Sequence, residues 1–474
     1  MWQNLAPELV FGIFHHFLPG LKLSVTEPVQ FPWYLGHICS QWRDVFISYP
    51  AFWNNFVIHF KRECCRSGEP RAMDVDANHA LAILNACLPR SGNCPFSFKL
   101  VLYSCELCYN SDQNLKSRCG LQILELLVGQ STQWHDADIE LHESGLPVLY
   151  IAKDKFPRLH SMRVVLWLPA AGIMGDPSPT YADLFENTPQ LRCLHLCEFT
   201  SWRVDWSCLT VVHLWCPHRL AMHLDQLSGI SRLEELNIYG RSWFLVLPVA
   251  TPLTFPYLKI LRIDSEHIRL LFHAPMLQEL CIIKKLTYVA PSQTNGSFSD
   301  IISIYLPFLL HLTKLILCTE NTGDVKALLQ YMPPVPDLCL YHCASDYARL
   351  ASGHPTEYCL YTCTGSILRL LSESPKARSL KSLTVGLLQN DKYYLADIIV
   401  TWMKRKSLPV GGVHRFDKLE HLSLVFDAWD DTHFFDVLEQ MLGADGIPTS
   451  VRKINNEDDS IILDFLQWRE SVNM

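Results

Sequence analysis

Apolar positions along the chain follow two rhythms. Near the amino end Leu9, Ile13 and Phe17 fall at i, i+4 and i+8, and Val10 and Phe14 widen the stripe. That spacing predicts a helix opened by Leu5-Ala6-Pro7-Glu8-Leu9 and ended by Pro19-Gly20. Pro7 loses no hydrogen bond in a first turn, and Glu8 sits where the positive helix end favours a carboxylate. A second helix is predicted over about Trp33 to Ser48, carrying Leu35, Ile38, Cys39, Trp42, Val45 and Phe46. Tyr49-Pro50 stops it, and Phe52-Trp53 follow. The two helices carry more apolar surface than they can bury on each other. Such a surplus is either a cap on the next domain or a partner's docking face.

The second rhythm is a short phrase with apolar residues at positions 1, 4 and 6, often with proline two or three residues ahead. Its instances are Leu159-Met162-Val164, Leu191-Leu194-Leu196, Leu209-Val212-Leu214, Leu233-Leu236-Ile238 and Leu258-Leu261-Ile263. They continue as Leu277-Leu280-Ile282, Leu312-Leu315-Leu317, Val335-Leu338-Leu340, Leu380-Leu383-Val385 and Leu419-Leu422-Leu424. A weaker one, Trp134-Ala137-Ile139, precedes them. Alternation in the second half predicts a strand with one face buried. Helical periodicity lies between phrases at Thr322 to Tyr331, Gly365 to Glu373 and Thr432 to Leu442. Strand, helix, proline, strand is the rhythm of a leucine-rich repeat, whose units bury their apolar faces only by stacking. The competing reading is a doubly wound α/β domain, which prefers Val and Ile in its strands and needs no repeated phrase.

Between the two parts, Lys61 to Arg71 is polar enough for an exposed connection. Asp76 to Cys87 and Gly120 to Gly129 read as helices, and Phe96 to Leu102 alternates like a strand. This stretch reads as the atypical end of the repeat stack.

Composition narrows the possibilities. A chain of 474 residues is too long for one compact core. With 49% hydrophobic and 19% charged residues it is an ordered chain. A net charge of −8 offers no basic field for a phosphate backbone, so no nucleic-acid partner is expected. The start, Met1-Trp2-Gln3-Asn4-Leu5, lacks the basic region of a signal peptide. The most apolar stretch, Ile301 to Cys318, is interrupted by Pro307, His311 and Lys314, so no membrane partner is expected. Eighteen cysteines without a secretory signal predict reduced thiols and a cytoplasmic or nuclear location.

Candidate chemistry is sparse. Cys94, Cys105, Cys108 and Cys119 contain one C-x-x-C without a second close pair, and buried or incidental thiols account for them. Cys339/Cys343 and Cys359/Cys363 sit on predicted strand ends and read as packing. Glu266-His267 and His273 do not form H-E-x-x-H, and no nucleophile elbow or phosphate-binding glycine loop occurs. The chain is therefore expected to be no enzyme and to need no metal or cofactor. Trp202, Trp206, Trp215, Trp243 and Phe244 are candidates for partner contact on the repeats, weighed against core packing. Glu457-Asp458-Asp459 reads as a solvated acidic patch.

Three separated blocks carry a resemblance. Leu5-x-Pro7-Glu8-Leu9-x-x-x-Ile13-Phe14, then Cys39-x-x-Trp42-Arg43, then Pro50-x-x-Trp53, resemble the F-box in order and type over about residues 4 to 55. Ala6 stands where a second proline is common, and the connector from Gly20 to Pro32 is long. The whole chain is similar to a large fungal group in which repeats follow an F-box. The resemblance implies docking onto a Skp-type adaptor joined to a cullin scaffold, with Leu5, Pro7, Leu9 and Ile13 at the contact. Trp42 and Trp53 belong to the same motif and look more like core residues. The expected fold is α/β: a small all-α F-box domain (1–60), then a linker and capping segment (61–133). An irregular leucine-rich-repeat-like solenoid of alternating strands and helices (134–450) and an acidic, helical tail (451–474) complete it. The expected function is the substrate-recognition subunit of an SCF-type cullin–RING ubiquitin ligase, presenting an unknown target protein on the repeats. The alternative is a repeat scaffold with no ligase association.

Overall fold

The computed structural model describes residues 5–17, 23–25, 36–59, 71–102, 116–142, 145–167, 181–197, 202–215, 227, 229–239, 253–264, 272–283, 303, 306, 309–319, 322–342, 370–371, 374, 376, 379–387, 419–426 and 449–453. They fall in two compact units. One is Met1–Leu233 with Gly240–Leu245, the other Glu234–Tyr239 with Val246–Met474.

The first unit runs α1 (Pro7–Phe17), β1 (Leu23–Ser24), α2 (Ser40–Ser48), a 3-10 turn (Pro50–Trp53) and β2 (Asn55–His59). It continues with α3 (Arg71–Ser91), β3 (Phe96–Val101), α4 (Lys116–Val128), a 3-10 turn (Ser131–Gln133) and β4 (Trp134–His142). Then follow α5 (Leu146–Tyr150), β5 (Ser161–Trp167), β6 (Cys193–Cys197) and β7 (Val211–Trp215). Each strand pairs parallel with the next in chain order. Gly92, at φ +58, ends α3 in the left-handed region that glycine tolerates best.

The second unit holds β8 (Glu235–Tyr239), β9 (Leu253–Thr254), β10 (Ile260–Asp264), β11 (Phe272–His273) and β12 (Glu279–Ile283). Next come β13 (Lys314–Thr319), α6 (Thr322–Tyr331), β14 (Asp337–His342), β15 (Ser382–Leu387), β16 (His421–Phe426) and β17 (Thr449–Lys453). Strands β8, β10 and β12 to β17 form a parallel ladder, and β9 pairs with β11 apart from it.

The ten phrases lie on β5–β8, β10 and β12–β16, and the register explains their spacing. Position 4 meets position 4 across the second unit's ladder, as Leu261↔Leu280, Leu280↔Leu315, Leu315↔Leu338 and Leu338↔Leu383. Position 6 does the same, as Ile263↔Ile282 and Leu340↔Val385. These residues are buried, so the period of two faces one row into the core. A single shared carbonyl recurs where one strand joins the next. The His160 carbonyl accepts from the Arg192 and Cys193 amides (2.8 and 3.1 Å), and the Glu234 carbonyl from Lys259 and Ile260 (2.8 and 3.0 Å). Proline ahead of the phrase is the second residue of a tight turn, where its fixed φ is favourable. The turns Phe156-Pro157, Thr188-Pro189, Phe255-Pro256 and Ala274-Pro275 each close with an amide returned by the Leu at position 1.

The expected fold class is corrected on two points. The first 60 residues are not an all-α domain, because β1 and β2 lie there, pair with each other, and β2 pairs with β3. Trp53, Phe56 and Ile58 occupy positions 1, 4 and 6 and are buried. Nor do strands and helices alternate along the repeats. Between β5 and β13 the only described helical residues outside the 3-10 turns are the single positions Leu227 and Ser303. In the step from Leu191 to Leu209 the described residues hold β6 and the 3-10 turn Trp206–Cys208. Helix α6 does occur where Val325, Leu328 and Leu329 predict it, with all three buried. Of the second expected helix, Leu370 and Leu371 are helical, while residues 365–369 and 372–373, the stretch Thr432 to Leu442 and the acidic run Glu457 to Asp459 lie outside the described residues.

Aromatic rings fill the first unit from turn to turn. Centroid separations run 6.0 Å for Phe56–Phe96, 5.9 Å for Phe96–Phe98, 4.8 Å for Phe98–Trp134 and 5.3 Å for Trp134–Phe156. They continue at 5.4 Å for Phe156–Phe185 and 5.0 Å for Phe185–Trp202. Trp202 and Trp206 are buried, so core packing and not partner contact accounts for both. Trp243 and Phe244 lie outside the described residues, as does the side chain of Trp215.

One close approach fixes a residue choice in the second unit. Gly386 faces Tyr341 across β14 and β15, and a Cβ there would lie 2.1 Å from Tyr341 Cδ1. Tyr341 is buried and has little room to yield. Gly386→Ala is therefore expected to destabilise the second unit by about 1–3 kcal/mol in denaturant unfolding. Most of that cost should vanish when Tyr341→Ser is added; an equal penalty in both backgrounds would refute the contact as its source.

Candidate functional site

Helix α1 presents two different sides. Val10 and Phe14 are buried, with the Phe14 ring 5.0 Å from Trp42 and 5.5 Å from Phe52, both edge-on. Leu9 and Ile13, four residues apart and so on one side of the helix, are left outside: Leu9 is 58% exposed and Ile13 half-buried. Pro7 and Glu8 are exposed and open the helix, with the Leu9 and Val10 amides returning to the Ala6 carbonyl (2.9 and 3.2 Å). Leu5 is half-buried, and its carbonyl accepts from Gln41 Nε2, which ties the start of α1 to α2.

Helix α2 begins after the extended Cys39 and ends at the extended Tyr49, because a residue before proline avoids the helical region. Trp42 is half-buried against Phe14, and its indole nitrogen is enclosed without a hydrogen-bond partner. Trp53 is fully enclosed. Its indole donates to the Phe46 carbonyl at 2.9 Å and Arg90 lies 4.9 Å from the ring centroid. Trp53 therefore supports the fold, the core role expected of it, and leaves no exposed surface for an adaptor contact. Around α1, Ile38, Ile47 and Tyr49 are exposed, Tyr49 stacked on Phe11 at 3.8 Å. Among the described residues, half of the exposed large apolar side chains (Leu9, Ile38, Ile47 and Tyr49 of eight) belong to this short N-terminal stretch. The surplus of apolar surface is thus concentrated here.

The outward face of the first unit's ladder is polar. Arg163 on β5 binds Asp138 (2.8 Å) and Glu140 (2.7 Å) on β4, and Lys99 on β3 reaches Asp138 at 3.4 Å. The next strands place His195 beside Arg163 and His213 beside His195. Cys193, two residues before His195, shares its face, with Sγ 3.2 Å from His195 Nε2. Burial, helped by the nearby Arg163 charge, pushes His195 down to about 4, so its ring is neutral at pH 7. A second group, His135, Asp136 and His160, lies nearer the surface at the start of β4 and β5.

Sequence reasoning did not bring these histidines together. The signal was available: His195 and His213 both stand at position 5 of consecutive phrases, so identical register makes them neighbours. Of the cysteines singled out in the sequence, Cys94 is a half-buried thiol and Cys339 is buried, which raises it to about 12. Cys105, Cys108, Cys343, Cys359 and Cys363, and the side chain of Cys119, lie outside the described residues. Glu266 and His267 lie outside them too, while His273 is exposed on β11. No described helix is long and apolar enough to cross a membrane.

No family model matches the chain, and no curated protein is significantly similar to it.

Proposed function

We propose that the chain is the substrate-recognition subunit of an SCF-type cullin–RING ubiquitin ligase. It docks a Skp-type adaptor through Leu5, Pro7, Leu9 and Ile13, with Trp42 behind them, and presents a target protein on the outward face of its strand ladders. The observation that carries this reading is the exposure of Leu9, with half-buried Ile13 beside it, on a helix that buries Val10 and Phe14. An apolar row kept in water is a cost to the isolated chain that a partner groove removes. The three sequence blocks that resemble the F-box supply the partner's identity. The mechanism is proximity: a tethered target meets the ubiquitin-charged enzyme at raised effective concentration, and the chemistry belongs to other subunits.

Co-purification of the full chain with the adaptor tests it. Leu9→Asp with Ile13→Asp is expected to weaken capture at least about thirtyfold, the effect of losing one hot spot of about 2 kcal/mol. Because Leu9 is exposed, far-UV circular dichroism should stay unchanged. No capture by the wild type, or equal capture by the variant, would overturn the docking reading and leave the scaffold without ligase association.

A further inference from the structure

We infer that Cys193, His195 and His213 form a binding site for a zinc ion on the outward face of the first unit's ladder. This does not rest on the adaptor reading. The three side chains come from neighbouring strands in fixed register, β6 and β7, where the period of two puts Cys193 and His195 on one face. Their ligand atoms lie within 4.8 Å of one another, and all three residues are half-buried.

The donor set is chemically apt. One thiolate and two imidazoles are borderline-soft ligands, which suits zinc and disfavours magnesium or calcium. Tetrahedral bonds of about 2.3 Å to sulfur and about 2.0–2.1 Å to nitrogen put a sulfur and a nitrogen about 3.6 Å apart. Cys193 Sγ and His195 Nε2 are already at 3.2 Å. The two rings stack with centroids 3.9 Å apart and planes 18° from parallel. Binding requires each ring to turn about its Cβ–Cγ bond until both lone pairs converge beside Sγ. On binding, the Cys193 proton leaves to solvent and the thiolate offsets half of the metal charge. The neighbouring Arg163 cation does not oppose it, since Asp138 and Glu140 already compensate that charge. Three protein ligands leave a fourth position facing outward, for water or for a carboxylate or imidazole of a bound protein. The group at His135, Asp136 and His160 is a weaker candidate, because it lacks a thiolate and its His160–Asp136 approach is 4.0 Å.

The test uses the full chain, stripped with a chelator, kept reduced and titrated with Co²⁺. One equivalent is expected to produce thiolate-to-cobalt charge-transfer absorption that Zn²⁺ then abolishes. Cys193→Ser should remove the absorption. His213→Gln should weaken binding by at least about tenfold, the scale on which even outer-shell partners act. His135→Gln should leave it unchanged. In the unaltered chain, zinc should protect Cys193 from alkylation, mapped by mass spectrometry, while half-buried Cys94 and Cys208 react as before. Absorption retained in Cys193→Ser, or absent from the wild type, or Cys193 alkylation indifferent to zinc, would overturn the site.

Discussion

Trp134→Ala is expected to cost about 3–5 kcal/mol, the range for emptying the space of a fully buried large aromatic. Trp134 is fully enclosed at the joint between α4 and β4. Its ring lies between Phe98 and Phe156, so its loss interrupts the aromatic series at the centre of the first unit. Its indole also donates to the Leu127 carbonyl at 3.0 Å, near the end of α4. Trp134→Phe keeps most of the volume and loses the donor, so it should cost about 1–3 kcal/mol. The loss should register locally. Hydrogen exchange should speed up in β3, β4 and β5 before it does so in β12 to β14, since stability differs between regions of a chain. A change below about 1 kcal/mol would show that α4 and Phe156 close over the gap.

Arg262→Met is expected to destabilise the second unit by about 2–4 kcal/mol. Arg262 on β10 has a side chain only 12% exposed. It pairs with Glu235 on β8, with Glu279 on β12 at 3.1 Å, and reaches the Asn237 oxygen at 3.4 Å. Removing one member of a buried ionic group leaves charge behind, which costs about 3–5 kcal/mol when fully buried. Residual exposure of both carboxylates, and Lys314 at 3.4 Å from Glu279, reduce that figure here. Arg262→Lys should recover only part, because an ammonium cannot span both carboxylates as a guanidinium does. Adding Glu235→Gln and Glu279→Gln to Arg262→Met should recover at least half of the loss in urea unfolding. No recovery would mean that the methylene packing of Arg262, and not its charge, holds the strands.

What could be read from the residues divides along physical lines. Leu338 and Leu340 were legible as positions 4 and 6 because inward positions tolerate only apolar side chains. The phrase Trp53-Phe56-Ile58 obeys the same rule but was hidden, since Trp53 also completes the F-box-like blocks. That concealment is why the first 60 residues read as helices alone. Strand β1 is two residues long and has no period to detect. Helix α6 formed where Val325, Leu328 and Leu329 spelled a stripe. Trp202 and Trp206 carried no signal of side, because an aromatic ring serves a core and an interface equally well. At the proposed docking face the residues identify Leu9 and Ile13 as apolar, and only the fold separates them from buried Val10 and Phe14.

The shared carbonyl at the joins has an evolutionary corollary. Because successive strands enter on the same kind of acceptor, inserting a whole turn-plus-strand segment adds a rung and leaves the others undisturbed. Inserting a single residue after the turn flips the inward row to water and is eliminated. Lineages of such chains should therefore differ in length by entire segments, while residues at positions 3 and 5 diversify and supply new recognition surfaces.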